Sequence, residues 1–419
     1  AAAQTAVVAT LKSAGIDLTA AGDLITSATV TSAYTSALVK LNDALVAGGT
    51  SLADLTTAVV NSAPATAAGL PVITVGLPTL PPDQILQPAA STCAAMRSGK
   101  YRVVIPIPGA PLSDQVDSFQ INVATGAIIY ANGSTQTVAA NGTCRFSDRD
   151  KSDFVVSPAG VMVGTITDGA KIRTAIVIPE QQHSLADLAG TWNIIGMNPW
   201  DGALGFGAVA GTVTVGTEGK ILTGSACSHP ATWDVVTCGS FTPGTQPLRV
   251  NVAGGFDLIG DSGNVAGRSF MYQAGSGDLM YIQVYNEGNF NIWTKQKTNS
   301  LPTVGEVKTH WGFAIDEQLL STGVISADTN TIVSVDAAAG SWVRKQKTVG
   351  GTDEHSETFF ANNPRIGYNY RAASSTVAAD GTTLNLNQST TLGLRGMGLT
   401  AVLNQSKKRF QFSVEQSVK

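Results

Sequence analysis

The sequence predicts a mainly β protein with an N-terminal α-helical segment, its body made of tandem antiparallel β-barrel or sandwich domains. Three observations predict this. From residue 93 onward, short apolar runs such as YRVVIPI, FQINV, AIIYA, FVVSP and VMVGTIT are bounded by Gly, Asn, Asp and Pro. They recur about every 8 to 12 residues, the spacing of a sandwich or barrel. Residues 1–62 instead repeat apolar positions at helical intervals, and residues 63–92 between the two regions hold six prolines.

In the helical segment, Tyr34, Leu38, Leu41 and Leu45 fall on one helix face. Gly48 and Gly49 end that helix, and Thr50 or Ser51 can cap the next, with Asp54 at the capping-box position. The segment is Ala-rich and buries little area alone, so it is expected to lie against another surface. The stretch 63–92 reads as an extended, semi-rigid connector.

Beyond the connector the pattern divides into units at 93–182 and 183–300, with 301–419 as a third unit or the completion of the second. SGKYRVVIPIP (98–108) lines up with AGTWNIIGMNP (189–199), with Gly, an aromatic, two β-branched residues and Pro in register. KTHWGFAID (308–316) is a weaker third start, and IWTKQKT (292–298) matches SWVRKQKT (341–348). INVATGAIIYANG reads as a hairpin closing at Thr125-Gly126.

In SLADLAGTW, Leu185 and Leu188 can form a single turn that plugs a barrel end. Gly190 then turns the chain, and Trp192 points inward at the strand start. This Gly-x-Trp after a short helix resembles the start of lipocalin and wider calycin barrels, and Gly99-Lys100-Tyr101 repeats it with Tyr for Trp. The resemblance implies a barrel holding a small apolar ligand at its mouth. It also implies a cation packed on the tryptophan, for which Lys295 and Lys297 are the candidates. Trp200 and Phe206 in a Gly-rich loop, and Tyr281 and Tyr285 in the alternating run LMYIQVY, complete the candidate ligand-binding set with Trp192.

Only 13% of residues are charged and the formal charge is −4. This gives no long-range attraction for nucleic acid, and the low charge suits a protein outside the cytoplasm. No run of 18 apolar residues is present, so no transmembrane helix is expected. A start at Ala1 reads as an exported chain with its signal removed, and an upstream lipid anchor is compatible with it. The four cysteines fit an oxidising compartment, pairing Cys227 with Cys238 across a hairpin and Cys93 with Cys144 by default.

Catalytic motifs are missing from the sequence: there is no G-x-S-x-G elbow, HExxH, P-loop or dinucleotide fingerprint. No cofactor is expected. Of the four histidines, His183 precedes a helix start, His229 lies in the cysteine hairpin, His310 abuts Trp311 and His355 stands in the polar run GGTDEHSET. Asp148, Asp150 and Asp153 are weak calcium candidates in SDRDKSD, interrupted by Arg149 and Lys151. The expectation is a non-enzymatic secreted or cell-envelope protein, structural or adhesive, self-assembling or binding other envelope components. The alternatives are a lipocalin-like binder of a small apolar ligand or glycan, and an enzyme acting on a surface polymer.

Overall fold

The computed structural model describes residues 89–90, 93–106, 111–148, 153–168, 171–199, 206–229, 248–251, 254–260, 262–286, 290–316, 324–404 and 408–417. The expected N-terminal helices and most of the connector lie outside them, as do Trp200, Asp150 and Cys238. What is described is almost entirely antiparallel strand, arranged in three large sheets.

All three sheets follow one circuit, an up-and-down meander whose last strand returns to pair with its first. In the first sheet Lys171–Pro179 closes on Gly99–Val104. Its two edge strands, Thr135–Thr137 and Ala139–Gly142, are joined only through Val138. That residue is buried, and its N–H donates to the Gly126 carbonyl at 2.8 Å. The covalent chain therefore completes this ring.

In the second sheet Phe290–Lys295 closes on Gly190–Pro199, and the edges are Ile221–His229 and Leu248–Val250. The third is a closed eight-stranded barrel in which Arg409–Ser417 pairs with Val307–Asp316. Closure leaves no open edge, which is how antiparallel folds avoid exposed ladders.

Tyr101 and Trp192 hold the same place in their circuits. Each is the third residue of a first strand, following Gly99 (φ +140°) or Gly190 (φ +120°), and each is fully buried inside its ring. The turn before Trp192 is the short helix Leu185–Leu188. Ser184 and Asp187 cap it reciprocally, and it delivers Leu188 into the barrel base. On the last strand, Lys295 places its Nζ 4.1 Å from the centre of the Trp192 ring, the cation contact that the barrel resemblance implies.

Two of the shorter echoes are corrected. KTHWGFAID is the first strand of the third barrel, but Trp311 faces outward. There it packs on the core shared between the sheets and lies under Arg145, 5.1 Å from ring centre to guanidinium. IWTKQKT contains the closing strand of the second sheet, whereas SWVRKQKT is the third strand of its barrel. Their similarity therefore reflects composition and not position.

Strand alternation divides each sheet into an inner and an outer face. Inside the first ring Tyr101, Val103, Phe119, Ile128, Phe154 and Val177 pack together. Inside the second, Trp192, Phe256, Tyr281 and Trp293 meet largely edge to face at 5.4–6.5 Å. The outer faces of all three merge into one further core, joining Val104 and Ile176 with Ile195, Met197, Ile282, Phe313, Phe410 and Phe412. The alternating run Leu279–Tyr285 is thus buried on both faces. Tyr281 lies in the inner cluster, and Met280, Ile282 and Val284 lie in the shared one.

Polar pins accompany this core. Gln115 Nε2 donates to the Tyr285 carbonyl at 2.9 Å, and Gln181 exchanges two hydrogen bonds with the Gln273 backbone. The Tyr368 hydroxyl, from the third barrel, reaches the Ile194 and Gly211 carbonyls at 2.6 and 2.7 Å and accepts from the Ile194 N–H at 3.0 Å. These are neighbouring strands of the second sheet, so one phenol fastens both to the third barrel.

Candidate binding site in the lumen of the third barrel

The third barrel differs from the other two in what its strands turn inward. Lys308 and His310 on the first strand, Asp328 and Asn330 on the second, and Arg344 on the third occupy alternate, lumen-facing positions. Glu357, Arg371, Thr400 and Glu415 do the same on later strands. Apolar packing inside this barrel is confined to one end, where Ile332, Trp342 and Phe359 cluster. Trp342 and Phe359 stack at 5.5 Å and 17°, and the Arg344 guanidinium lies 4.4 Å above Phe359.

Buried charges survive only when paired and hydrogen-bonded. His310 supplies the central pairing, with Nδ1 3.3 Å from Asp328 Oδ1 and Nε2 3.3 Å from Glu415 Oε2. Burial opposes its charging, but the two carboxylates outweigh burial and raise its pKa above the usual imidazole value. Burial likewise pushes Glu415 upward, yet His310 and Lys308 (Nζ at 2.8 Å) hold it down at about 2. Asp328 is lowered too, against its burial, by His310, Arg344 and Asn330.

A second group forms around Glu357. Arg344 binds it at 2.7 Å, Arg371 also contacts it, and His355 Nε2 lies 3.5 Å away. Burial lowers the pKa of Arg344 to about 10. It does the same for Arg371, where the neighbouring Arg344 charge adds to the effect.

These side chains divide the lumen into two hollows that meet at His310, Asn330, Arg344, Thr391 and Thr400. The hollow on the Trp342 side is about 580 Å³ and also carries Asn299, Glu306, Lys308 and Asn369. The other is about 340 Å³ and carries Asn385, Asn387, Glu357, Arg371 and Gln411. Both volumes lie in the range that encloses a small ligand.

The lumen presents charged and hydrogen-bonding groups. A general base needs a free nitrogen near its working pH, whereas both ring nitrogens of His310 face carboxylates. Glu415 and Asp328, held as anions, have no proton to donate. The hydroxyl nearest the group, Thr400 Oγ1, donates to Glu415 Oε2 at 3.2 Å. Among the described residues no group of three or more His, Cys, Asp or Glu is arranged to hold a metal.

The residues singled out from sequence fall elsewhere. Trp192 and Tyr281 are brought together, 6.3 Å between ring centres, inside the second ring. There the Trp192 indole donates to the Leu188 carbonyl at 2.6 Å and the Tyr281 hydroxyl to Ser269 at 2.7 Å. Tyr285 is half-buried at the end of that strand and donates to Gln283 at 3.3 Å. Phe206 begins the strand that pairs with Gly190–Pro199. Asp153 is bound by Arg145 at 3.1 Å, and Asp148 accepts from Gln136.

Cys93 and Cys144 form a disulfide. Cys227 sits on the strand Ile221–His229 opposite Ala210, and its expected partner lies outside the described residues. Of the lumen residues, the sequence reading named His310 and placed His355 in a polar run. His355–Ala361 is a strand, with His355 and Glu357 turned inward. The signal was present in the polar alternation of KTH, DTN, VRKQ and HSET, whose inward positions are charged or amide-bearing.

No family model matches this chain, and no curated protein matches it. Among solved structures, it is similar to a protein of unknown function from the DUF3598 family of Nostoc punctiforme. Identity there is 10% and the TM-score 0.19, over 57% of this chain and 99% of that one. It is also similar to isotype 1 transferrin binding protein B from serogroup B Neisseria meningitidis, at 11% identity and TM-score 0.24, over 72% and 66% of the two chains. A putative AttH from Nitrosomonas europaea matches at 8% identity and TM-score 0.13, over 57% of this chain and 98% of that one. Overlap this loose carries no functional conclusion.

Proposed function

We propose that this chain is a non-enzymatic binding protein of the cell envelope or extracellular space, and that the third barrel holds its ligand, a small hydroxyl-rich molecule of the saccharide class. The observation carrying this reading is the 580 Å³ hollow, in which the stacked Trp342–Phe359 pair lies beside Asn299, Asn330, Asn369, Glu306 and Lys308. A sugar offers an apolar C–H face to an aromatic ring and an array of hydroxyls to amides and carboxylates. This wall supplies both. The second ring turns apolar side chains inward, and the first ring encloses a hollow of about 640 Å³ that has no indole in its lining.

The non-enzymatic part of the reading is supported by the clamped state of His310. Low charge content and the Cys93–Cys144 bridge support export. The test is saturation-transfer NMR of the intact chain against a panel of mono- and disaccharides. Contact of sugar C–H protons with the protein, lost in Trp342→Ala, is the expected result. Absence of any contact across the panel overturns the reading.

A specific observation favours a second role, self-association. Leu222 and Val250 are exposed (56% and 52%) on the two edge strands of the second sheet. Exposed apolar side chains favour cover by another chain, here a second copy. Light scattering that shows a monomer at all concentrations, unchanged by Leu222→Lys, overturns it.

A further inference from the structure

We infer that the 340 Å³ hollow of the third barrel is an anion subsite, so that the ligand taken by this lumen is an acidic sugar whose carboxylate sits against Arg371. The inference rests on the saccharide reading above and goes beyond it by assigning the ligand a charge and a direction in the barrel.

The first observation is a count of charges. Glu357, with its side chain 2% exposed, is the one carboxylate bound by both Arg344 and Arg371. The other lumen carboxylates are engaged elsewhere, Asp328 with His310 and Glu415 with His310 and Lys308. Two guanidinium groups thus converge on one buried carboxylate, with Asp328 and Glu415 also acting on Arg344.

The second observation is geometric. Arg371 is 6% exposed and lines this hollow. Nη1 contacts Glu357 and Nη2 the Asn387 carbonyl at 2.5 Å, but its buried Nε has no hydrogen-bond partner. An unmet buried N–H costs free energy unless something accepts from it. An unmet donor in this hollow, beside the polar side chains that border the junction, matches a molecule with an oxyanion at one end and hydroxyls behind it. Lodged this way, the sugar ring would extend toward Trp342.

The other titratable groups facing this hollow include Asp353, His355 and Arg409. Asp353 is bound by the Thr348 backbone and hydroxyl at 3.1 and 2.7 Å. His355 turns Nδ1 to the Asp353 carbonyl at 2.7 Å.

The experiment is calorimetric titration of the intact chain with glucuronate, glucose and inorganic sulfate, on the unaltered protein and on Arg371→Lys. A charge-assisted hydrogen bond predicts glucuronate binding about tenfold or more tighter than glucose. Sulfate should compete with glucuronate but not with glucose. Arg371→Lys, which keeps the charge and removes the fork, should erase most of the preference of glucuronate over glucose.

Glucose and glucuronate binding equally to the unaltered protein overturns the anion subsite and leaves the saccharide reading intact. Binding of neither sugar overturns both. The comparison on unaltered protein decides the matter even if the variant folds poorly.

Discussion

The Tyr101 hydroxyl and the Trp192 indole N–H make the same hydrogen bond, each donating to the backbone carbonyl four residues upstream, Arg97 at 2.8 Å and Leu188 at 2.6 Å. Between donor and acceptor, the chain bends through Gly99 or Gly190 in a conformation that an L side chain rarely adopts. The ring thus closes its barrel base and satisfies a carbonyl of the segment that enters it. Trp192→Ala is expected to cost about 3–5 kcal/mol through the cavity it leaves. Gly190→Ala is expected to cost about 1–3 kcal/mol, since the new Cβ would also lie 3.2 Å from Lys295 Nζ. Urea unfolding measures both. Values under the scatter of the method would mean that the ring and turn do not hold the base.

Tyr368 should fasten the third barrel to the second in the same local manner. Its hydroxyl is buried, and burial pushes its pKa upward despite the Gly211 and Ile194 backbone contacts. Tyr368→Phe keeps the ring and removes one oxygen, leaving the carbonyls of Ile194 and Gly211 a partner short. The expected loss is about 1–3 kcal/mol. Hydrogen exchange should quicken in Gly190–Pro199 and Phe206–Val215, with the first sheet unchanged. Uniform quickening across all three sheets would instead assign the hydroxyl a global role.

How far the sequence revealed this molecule depends on which face of each strand is considered. The mainly β class and the matched positions of Tyr101 and Trp192 follow from local pattern, because glycine conformation and period-two burial are local properties. The Lys295 contact does not, because only the pairing of the last strand with the first separates it from Lys297. The polar lumen was not read, although KTH, DTN and HSET carry its period. A lone polar residue at an alternate position looks the same whether it faces water outside a sheet or a counter-charge inside one. Only ring closure, which brings His310 between Asp328 and Glu415 from strands separated by up to 105 residues, decides between these. Trp311 misled for the opposite reason. Its outward face is buried by another sheet, and no local pattern reports that.

The Cys93–Cys144 bridge spans 51 residues and ties the strand Cys93–Arg97 to the turn before Arg145–Ser147. A loop of that length predicts about 4 kcal/mol of stabilisation from the restricted unfolded chain. The double replacement Cys93→Ser with Cys144→Ser should lower the urea midpoint accordingly. The loss should reach the whole molecule, because the outer face of the first ring is part of the shared core. A change confined to proteolysis near residue 144 would show instead that the bridge acts only locally.

The ion network of the third barrel predicts a stability optimum in pH with two separable limbs. Glu415 has a folded pKa of about 2 against 4.5 in its ordinary state, so its contribution is complete above 4.5 and is lost as pH falls toward 2. The shift sets its size at no more than about 3 kcal/mol. His310 has the opposite sign. Its folded pKa is raised above 6.5, so its contribution is complete below 6.5 and is lost as pH rises through the folded value. Both are present together between 4.5 and 6.5. Thermal melts from about pH 2 to about pH 9 on the unaltered protein, Glu415→Gln and His310→Gln separate the limbs. The advantage over Glu415→Gln should shrink on the acid side only, and that over His310→Gln should shrink on the alkaline side. Curves that stay parallel across the range would show that neither group changes its protonation on folding, and the charged pairing of His310 with its two carboxylates would be wrong.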